Sequence, residues 1–254
     1  MNHLSSRFDE DVQELAWTPS MIARFWNFES RRPENFFTYQ VGASVLQFFK
    51  RFLKPNSRIV DYGAGPGFLV EDLLAGGYQC GAIEFAPEAV QLLKQKYGNN
   101  AKFLGAFHIA EAAAHQGGFD RAFVLEVVEH LSNDELDVCL DQARSLLSDG
   151  GLLIITTPNN EDRSRSFVMN PETGKVFHRW QHVRSWTVDT LRREVCRHGF
   201  DCVEIGVTDF SSSLLAMRRS LSFPVRLARA IAKPLVRLLS NGSPPHLYMV
   251  ARKA

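Results

Sequence analysis

The run RIVDYGAGPGF at residues 58–68 constrains the fold more than any other stretch. Apolar Ile59 and Val60 lead into Asp61, and glycines then fall on alternate positions, Gly63, Gly65 and Gly67. Glycine tolerates positive φ and close backbone approach, so such a run reads as a buried strand turning into a helix beside a ligand. The helix is expected over 67–75, closed by Gly76 and Gly77. The pattern then repeats. CGAIEF (80–85) precedes a helix over 87–97, with Pro87 in its first turn and Gly98 as its stop. AKFL (101–104) precedes a helix near 108–115. FDRAFVLEV (119–127) precedes one near 133–147, where Ser132 and Glu135 have capping-box spacing. GLLIITT (151–157), a helix over 187–199, CVEIGVTDF (202–210) and HLYMVARKA (246–254) complete the series.

Strands alternating with helices of this length predict an α/β fold, a mainly parallel sheet with helices on both faces. Ligands of such sheets sit outside the carboxyl ends of the strands. That rim gathers residues 61–67, Glu84, residues 105–107, 125–130 and 157–160. Residues 1–57, with the aromatic runs MIARFWNF and VGASVLQFFKRFL, are expected to form a helical cap or lid on a main domain over 58–254. The net charge of +1 gives no general pull toward nucleic acid. The four cysteines include no C-x-x-C pair, which argues against a zinc ribbon or disulfide framework and for a reducing, cytoplasmic setting. The polar start MNHLSSRFDEDVQEL does not read as a secretory signal, and no apolar run reaches the roughly 18 residues of a membrane span.

The acid beside the loop separates two ligand classes. A dinucleotide loop reads G-x-G-x-x-G and offers N–H groups to a pyrophosphate. Here the spacing is G-x-G-x-G and Asp61 stands next to it. A carboxylate repels phosphate and attracts an ammonium or a sulfonium, so a cationic nucleoside is favoured over NAD. Glu84 ends the next strand about twenty positions after Gly63, where a carboxylate can hold ribose hydroxyls.

VDYGAGPGF, IEF, FDRAFVLEVVEHL and LLSDGGLLIITTPN, in this order, resemble the class I S-adenosylmethionine-dependent methyltransferases over residues 55–210. The resemblance implies a Rossmann-like seven-stranded sheet whose last strand is antiparallel, with CVEIGVTDF and HLYMVARKA as its closing pair. It implies S-adenosyl-L-methionine as cofactor. By position, Gly63, Ala64 and Gly65 would line the methionine part and Asp61 would orient its amino group. Glu84 would hold the ribose, with Phe85 beside it. Ala106 and Phe107 would flank the adenine, and Leu125 and Glu126 would close the methionine side.

The run EVVEH holds Glu126, Glu129 and His130, which a helical turn would place on one face. Two carboxylates and an imidazole form a donor set suited to Mg²⁺, Mn²⁺ or Zn²⁺. HRWQHVRSWT adds His178 and His182. Ubiquinone-pathway O-methyltransferases resemble the first run. Small-RNA 3′-terminal 2′-O-methyltransferases resemble it too, with a later histidine spaced like His182, Trp186 and Thr187. Three roles stay open: a metal set of Glu126, Glu129, His130 and His182; a metal-free base at His130 or His182 with Glu129; or a structural and cofactor role. The expected activity is O-methylation of a small, lipophilic or glycan-linked molecule. Its rivals are a metal-dependent RNA 2′-O-methyltransferase, opposed by the near-neutral charge, and a non-catalytic S-adenosylmethionine-binding regulator. Residues 158–181 and the first 57 carry no readable acceptor code.

Residues 211–240 contain Arg218, Arg219, Arg226, Arg229, Lys233 and Arg237 and no acid. At 100° per residue Arg226, Arg229, Lys233 and Arg237 share one face, and Leu227, Ile231, Leu235 and Leu238 the opposite one. Pro234 is expected to kink this helix. The segment reads as a basic amphipathic insertion at about 211–245, either packed on the domain, lying on a membrane surface through residues 214–240, or binding an acidic substrate such as RNA.

Overall fold

The computed structural model describes residues 12–239 and 243–254, with the side chains of 235–239 also outside the described set. The elements follow the expected alternation. Helices α1 (Pro19–Glu29) and α2 (Phe37–Phe49) lead into β1 (Arg58–Tyr62), α3 (Phe68–Ala75), β2 (Gln79–Glu84), α4 (Pro87–Tyr97) and β3 (Phe103–His108). Next come β4 (Phe119–Leu125), α5 (Asn133–Leu146), β5 (Leu147–Pro158) and a short hairpin, β6 (Phe167–Met169) and β7 (Val176–His178). The chain continues through α6 (Val188–Arg197), β8 (Phe200–Thr208), α7 (Phe223–Leu239) and β9 (His246–Lys253). The helix expected near 108–115 is a 3-10 helix, Ile109–His115, started by a capping box between His108 and Glu111.

Seven strands form one sheet in the order β3-β2-β1-β4-β5-β9-β8. Strands β1 to β5 pair in parallel, while β9 runs antiparallel to both of its neighbours. The sheet is thus Rossmann-like, with its last strand antiparallel and helices around it, as the sequence implied. The carboxyl ends of β1 to β5 and of β8 share one rim, because β9 reverses direction between β5 and β8.

Each face of the sheet is closed by a separate apolar cluster. Leu136 and Leu140 of α5 and Leu191 and Val195 of α6 pack on one. Leu69 and Leu73 of α3 and Val90 and Leu93 of α4 pack on the other, together with Val41, Val45 and Phe49 of α2. Helix α2, from the region expected to form a lid, therefore shares the core of the sheet.

Gly67 shows why the first turn is glycine-rich. It caps α3 with φ of 80°, and an added Cβ would lie 2.5 Å from Leu93 Cδ2 and 2.9 Å from a ring carbon of Tyr97. The Tyr97 hydroxyl also donates to its carbonyl at 2.8 Å. Gly150 is a useful contrast, with φ of 69° and no atom within 4 Å of the position of a Cβ. Backbone strain alone costs about 1 kcal/mol, and a clash with a packed core adds about 1–3 kcal/mol. Gly67→Ala should accordingly destabilise the protein by at least about 2 kcal/mol and Gly150→Ala by about 1 kcal/mol. Urea unfolding of both variants measures the difference, and equal losses would refute the packing argument.

Candidate active site at the strand ends

Strand β1 delivers Asp61 to the rim and β2 delivers Glu84 beside it; both side chains are buried. Glu84 acts as a clamp. Its carboxylate accepts the Gly65 N–H at 2.8 Å and the Phe85 N–H at 2.8 Å, so the end of β2 holds the glycine loop in place. Gly63, Gly65 and Gly67 all have positive φ. Phe36, just before α2, covers the loop, with a ring carbon 3.4 Å from where a Cβ on Gly65 would lie. Burial raises the Asp61 carboxyl to about 8, and the neighbouring Glu84 charge adds to that rise. Burial also raises Glu84, opposed by the N–H groups of Gly65, Phe85 and Ala86. A crowded pair of carboxyls at a rim is electrostatically suited to a cation and hostile to phosphate.

The other cofactor candidates lie along the same ends in different settings. Ala64 and Leu125 are buried, and Phe85 is 43% exposed at the tip of β2. Ala106 is wholly buried within β3. The Phe107 ring folds back over Gly105 and sits 3.7 Å, centroid to centroid, from His115. His108, opposite Glu84 in register, reaches the Phe85 carbonyl at 2.8 Å.

EVVEH is not a helical turn, which corrects the geometry expected from its spacing. Glu126 donates its N–H to Thr156 O at 2.9 Å and then turns with φ of 52°, and His130 N–H closes a short turn onto Val127 O. The reversal sends Glu126 out of register with the other two. Glu129, His130 and His182 bring ligand atoms within 4.8 Å of one another, as do Glu161, His178 and His182; Glu126 belongs to neither trio.

Hydrogen bonds set the state of each ring. His178 Nδ1 accepts the His182 N–H at 3.2 Å, so its proton sits on Nε2, 3.3 Å from Glu161 Oε1. His182 Nδ1 lies 2.5 Å from Glu161 Oε2 and must donate there. Burial alone would raise Glu161, but its contacts with His178 and His182 hold it down to about 2. Burial, reinforced by the neighbouring His182, lowers His130 to about 3, so this ring is neutral. Thr157 donates to Glu129 Oε2 at 3.0 Å. Glu129 Oε1, Glu126 Oε1 and His130 Nδ1 are buried without a hydrogen-bond partner among the described residues. Burial, reinforced by the Glu126 charge, raises Glu129 well above its ordinary value, and burial raises Glu126 to about 8.

Spacing did not single out Glu161, Gln181 or Trp26. Glu161 lies one residue beyond the rim read from sequence. Gln181, with φ of 61°, accepts from Trp26 Nε1 at 3.0 Å and donates to His130 O at 3.1 Å. The latch sets the Trp26 ring of α1 edge-on to His130, with centroids 5.0 Å apart. No local pattern marks such a contact, since 155 residues separate Trp26 from Gln181.

A glycine loop over two buried acids, on a sheet with this strand order, is the arrangement the resemblance to methyltransferases led one to expect. The profile of the methyltransferase-domain family matches residues 30–205, and the chain belongs to that family. Among curated relatives, a ubiquinone biosynthesis O-methyltransferase from Xanthomonas campestris pv. campestris is 32% identical over 43% of this chain and 46% of its own length. The chain thus spans about half the length of that relative. One of the same name from Cereibacter sphaeroides is 28% identical over 76% of this chain and 84% of its own. Among solved structures, the 1,6-didemethyltoxoflavin-N1-methyltransferase of Burkholderia thailandensis superposes with a TM-score of 0.58, at 16% identity, over 96% of this chain and 93% of that one. No helix among the described residues is long and apolar enough to cross a membrane.

The raised carboxyls carry a definite sign. Between about pH 4 and about pH 8 folded Asp61 holds a proton that the unfolded chain releases, so its stabilising contribution falls as pH rises through that window. The cofactor-free protein should lose melting temperature from about pH 5 to about pH 8. Asp61→Asn should make that slope shallower and raise Tm at the upper end by about 3 °C. Calorimetry against pH checks this, and an unchanged slope would remove Asp61 as its source.

Proposed function

We propose that this chain is an S-adenosylmethionine-dependent methyltransferase that methylates an oxygen of a small acceptor with an apolar face, lipophilic or glycan-linked, with His130 and His182 at the reacting end. The observation that carries the reading is the convergence of Glu129, His130 and His182 at the same rim as Asp61 and Glu84. S-adenosyl-L-methionine supplies an activated methyl group on a positively charged sulfur. Asp61 and Glu84 suit its ammonium and ribose, and Gly63, Ala64 and Gly65 offer the bare backbone its methionine part needs. Leu125 and Glu126 stand at the tip of β4, toward the acceptor side. Phe85, Ala106 and Phe107 belong to the adenine end, where His108 is a further candidate.

The sulfonium already carries its leaving group, so alignment and deprotonation of the acceptor are what remain to be done. Of the two rings, Nε2 of His182 is the candidate to take a proton from a hydroxyl, while His130, held down to about 3, is too weak a base and would position the acceptor. Glu161 fixes the tautomer of His182, and His178 fixes its backbone. Trp26, Phe25 and Phe36 form an aromatic wall between His130 and the glycine loop, which suits a flat or apolar acceptor. Through Trp26, α1 would act as the lid expected of residues 1–57.

The same residues fit a divalent cation. Glu129 Oε1 and His130 Nδ1 are buried and unpartnered among the described residues, and two imidazoles with a carboxylate are an N/O donor set for Mn²⁺, Zn²⁺ or Mg²⁺. Glu129, His130 and His182 would hold it, and it would lower the pKa of an acceptor hydroxyl. Glu126, once ionised, would add charge next to the set.

Two measurements test the reading. Catechol serves as a minimal hydroxyl acceptor with labelled S-adenosylmethionine. His130→Ala and His182→Ala should each lower transfer by about 10²–10⁴-fold while cofactor affinity, read by calorimetry, stays the same. Glu84→Ala should instead weaken cofactor binding. A product methylated on nitrogen or sulfur in a wider acceptor screen, with oxygen acceptors inert, would overturn the oxygen assignment. Titration of Mn²⁺ should give stoichiometric binding that His182→Ala abolishes; full activity in chelator with no Mn²⁺ uptake would leave His182 as a metal-free base.

A further inference from the structure

Helix α7 is packed inside out. On an ordinary surface helix apolar residues face the domain and charges face water. Here Phe223, Leu227 and Ile231, four residues apart along one face, are 58%, 40% and 59% exposed. Val225 and Leu214, in the turn before the helix, are exposed as well. The half-buried residues of the helix are the basic Arg226, Arg229 and Lys233, with Ala230. Lys233 Nζ donates to Ser211 Oγ at 2.5 Å, and Arg226 Nη1 donates to Leu214 O at 3.0 Å. Upstream, Arg218 and Arg219 both bind Asp72 of α3, and Met217 N–H bonds Gln40 O of α2 at 2.5 Å. Arg218 and Arg219 therefore tie the segment to the domain, Arg226 and Lys233 hold the helix to the turns before it, and the apolar stripe is what the helix offers outward. Sequence periodicity found both faces but not this orientation.

We infer that α7 docks flat on an anionic lipid surface, with Phe223, Leu227 and Ile231 entering the acyl boundary. Residues 211–240 carry six basic side chains and no acid; Asp72 pairs with Arg218 and Arg219 and Asp209 faces Lys233, so Arg226 and Arg229 are what make the field beside the apolar stripe positive. Charges beneath the helix still reach the headgroups: the helix is about 10 Å across and the screening length is about 10 Å at 0.1 M salt. An apolar face with basic residues around it matches an anionic bilayer better than another acid-free copy of the same segment, which would bring like charges together. The connection 209–245 leaves β8 at Thr208 and re-enters β9 at His246, residues paired with each other at the rim that carries the active site. Docking would turn that rim toward the lipid. This inference stands apart from the acceptor chemistry.

The test is flotation of the full chain with phosphatidylcholine vesicles and with phosphatidylcholine–phosphatidylglycerol vesicles. The chain should float with the anionic vesicles and fall by about tenfold in the neutral ones. Leu227→Glu with Ile231→Glu, both at exposed positions, should lose vesicle binding by at least about tenfold while retaining S-adenosylmethionine binding. No flotation with anionic vesicles, or equal flotation of the variant, overturns the inference. A concentration-dependent dimer that this variant dissolves, in a protein that ignores vesicles, also overturns it and assigns the face to a second copy.

Discussion

Four carboxyl groups, Asp61, Glu84, Glu126 and Glu129, are buried along one edge of the sheet, and the rest of the site is arranged around the cost of keeping them there. A buried carboxylate is tolerated when donors surround it, when it keeps its proton, or when a cation joins it. Glu84 takes the first route, and in accepting the Gly65 N–H it also fixes the loop that a cofactor must pass over. Asp61 and Glu126 take the second, each raised to about 8 mainly by burial. Glu129 is divided, with one oxygen held by Thr157 and the other open. A positive ligand at that rim would favour ionisation of these acids, so the rim suits a cation better than a phosphate.

Much of the fold was legible because strand ends, glycines and helix caps are local. The capping box at Ser132 and Glu135 and the stop at Gly98 are each decided by neighbours in sequence. The site was legible only where one strand end supplied it. EVVEH misled because spacing assumes regular backbone, and the turn after β4 reverses at Glu126 to meet β5. Glu161, Gln181 and Trp26 come from three separate connections, and their meeting depends on the β6–β7 hairpin and α1, whose sequences carry no repeat or motif. The orientation of α7 was hidden for a related reason: periodicity gives two faces, and tertiary contacts choose which one turns inward.

The histidine cluster joins elements far apart in the chain. Glu161 follows β5, His178 ends β7, and His130 follows β4. The β6–β7 hairpin is itself braced by the chain start, where Leu15 N–H bonds Val176 O at 2.8 Å and Glu14 pairs with Arg163. Ring orientation at His182 therefore depends on contacts made by the first described residues. A change near residue 14 can reach the reacting end without touching it.

The position of β9 has a consequence for how the molecule is made. β8 lies at the sheet edge and, among the described residues, pairs in it with β9 alone; residues 209–245 stand between the two in sequence. During synthesis β1 to β5 can assemble as soon as each emerges, but β8 must wait without a ladder until β9 slots in beside β5. Throughout that interval the apolar stripe of α7 is already present on a half-finished domain. The nascent chain is then at its stickiest, and a chaperone or a nearby bilayer has its best opportunity to engage it.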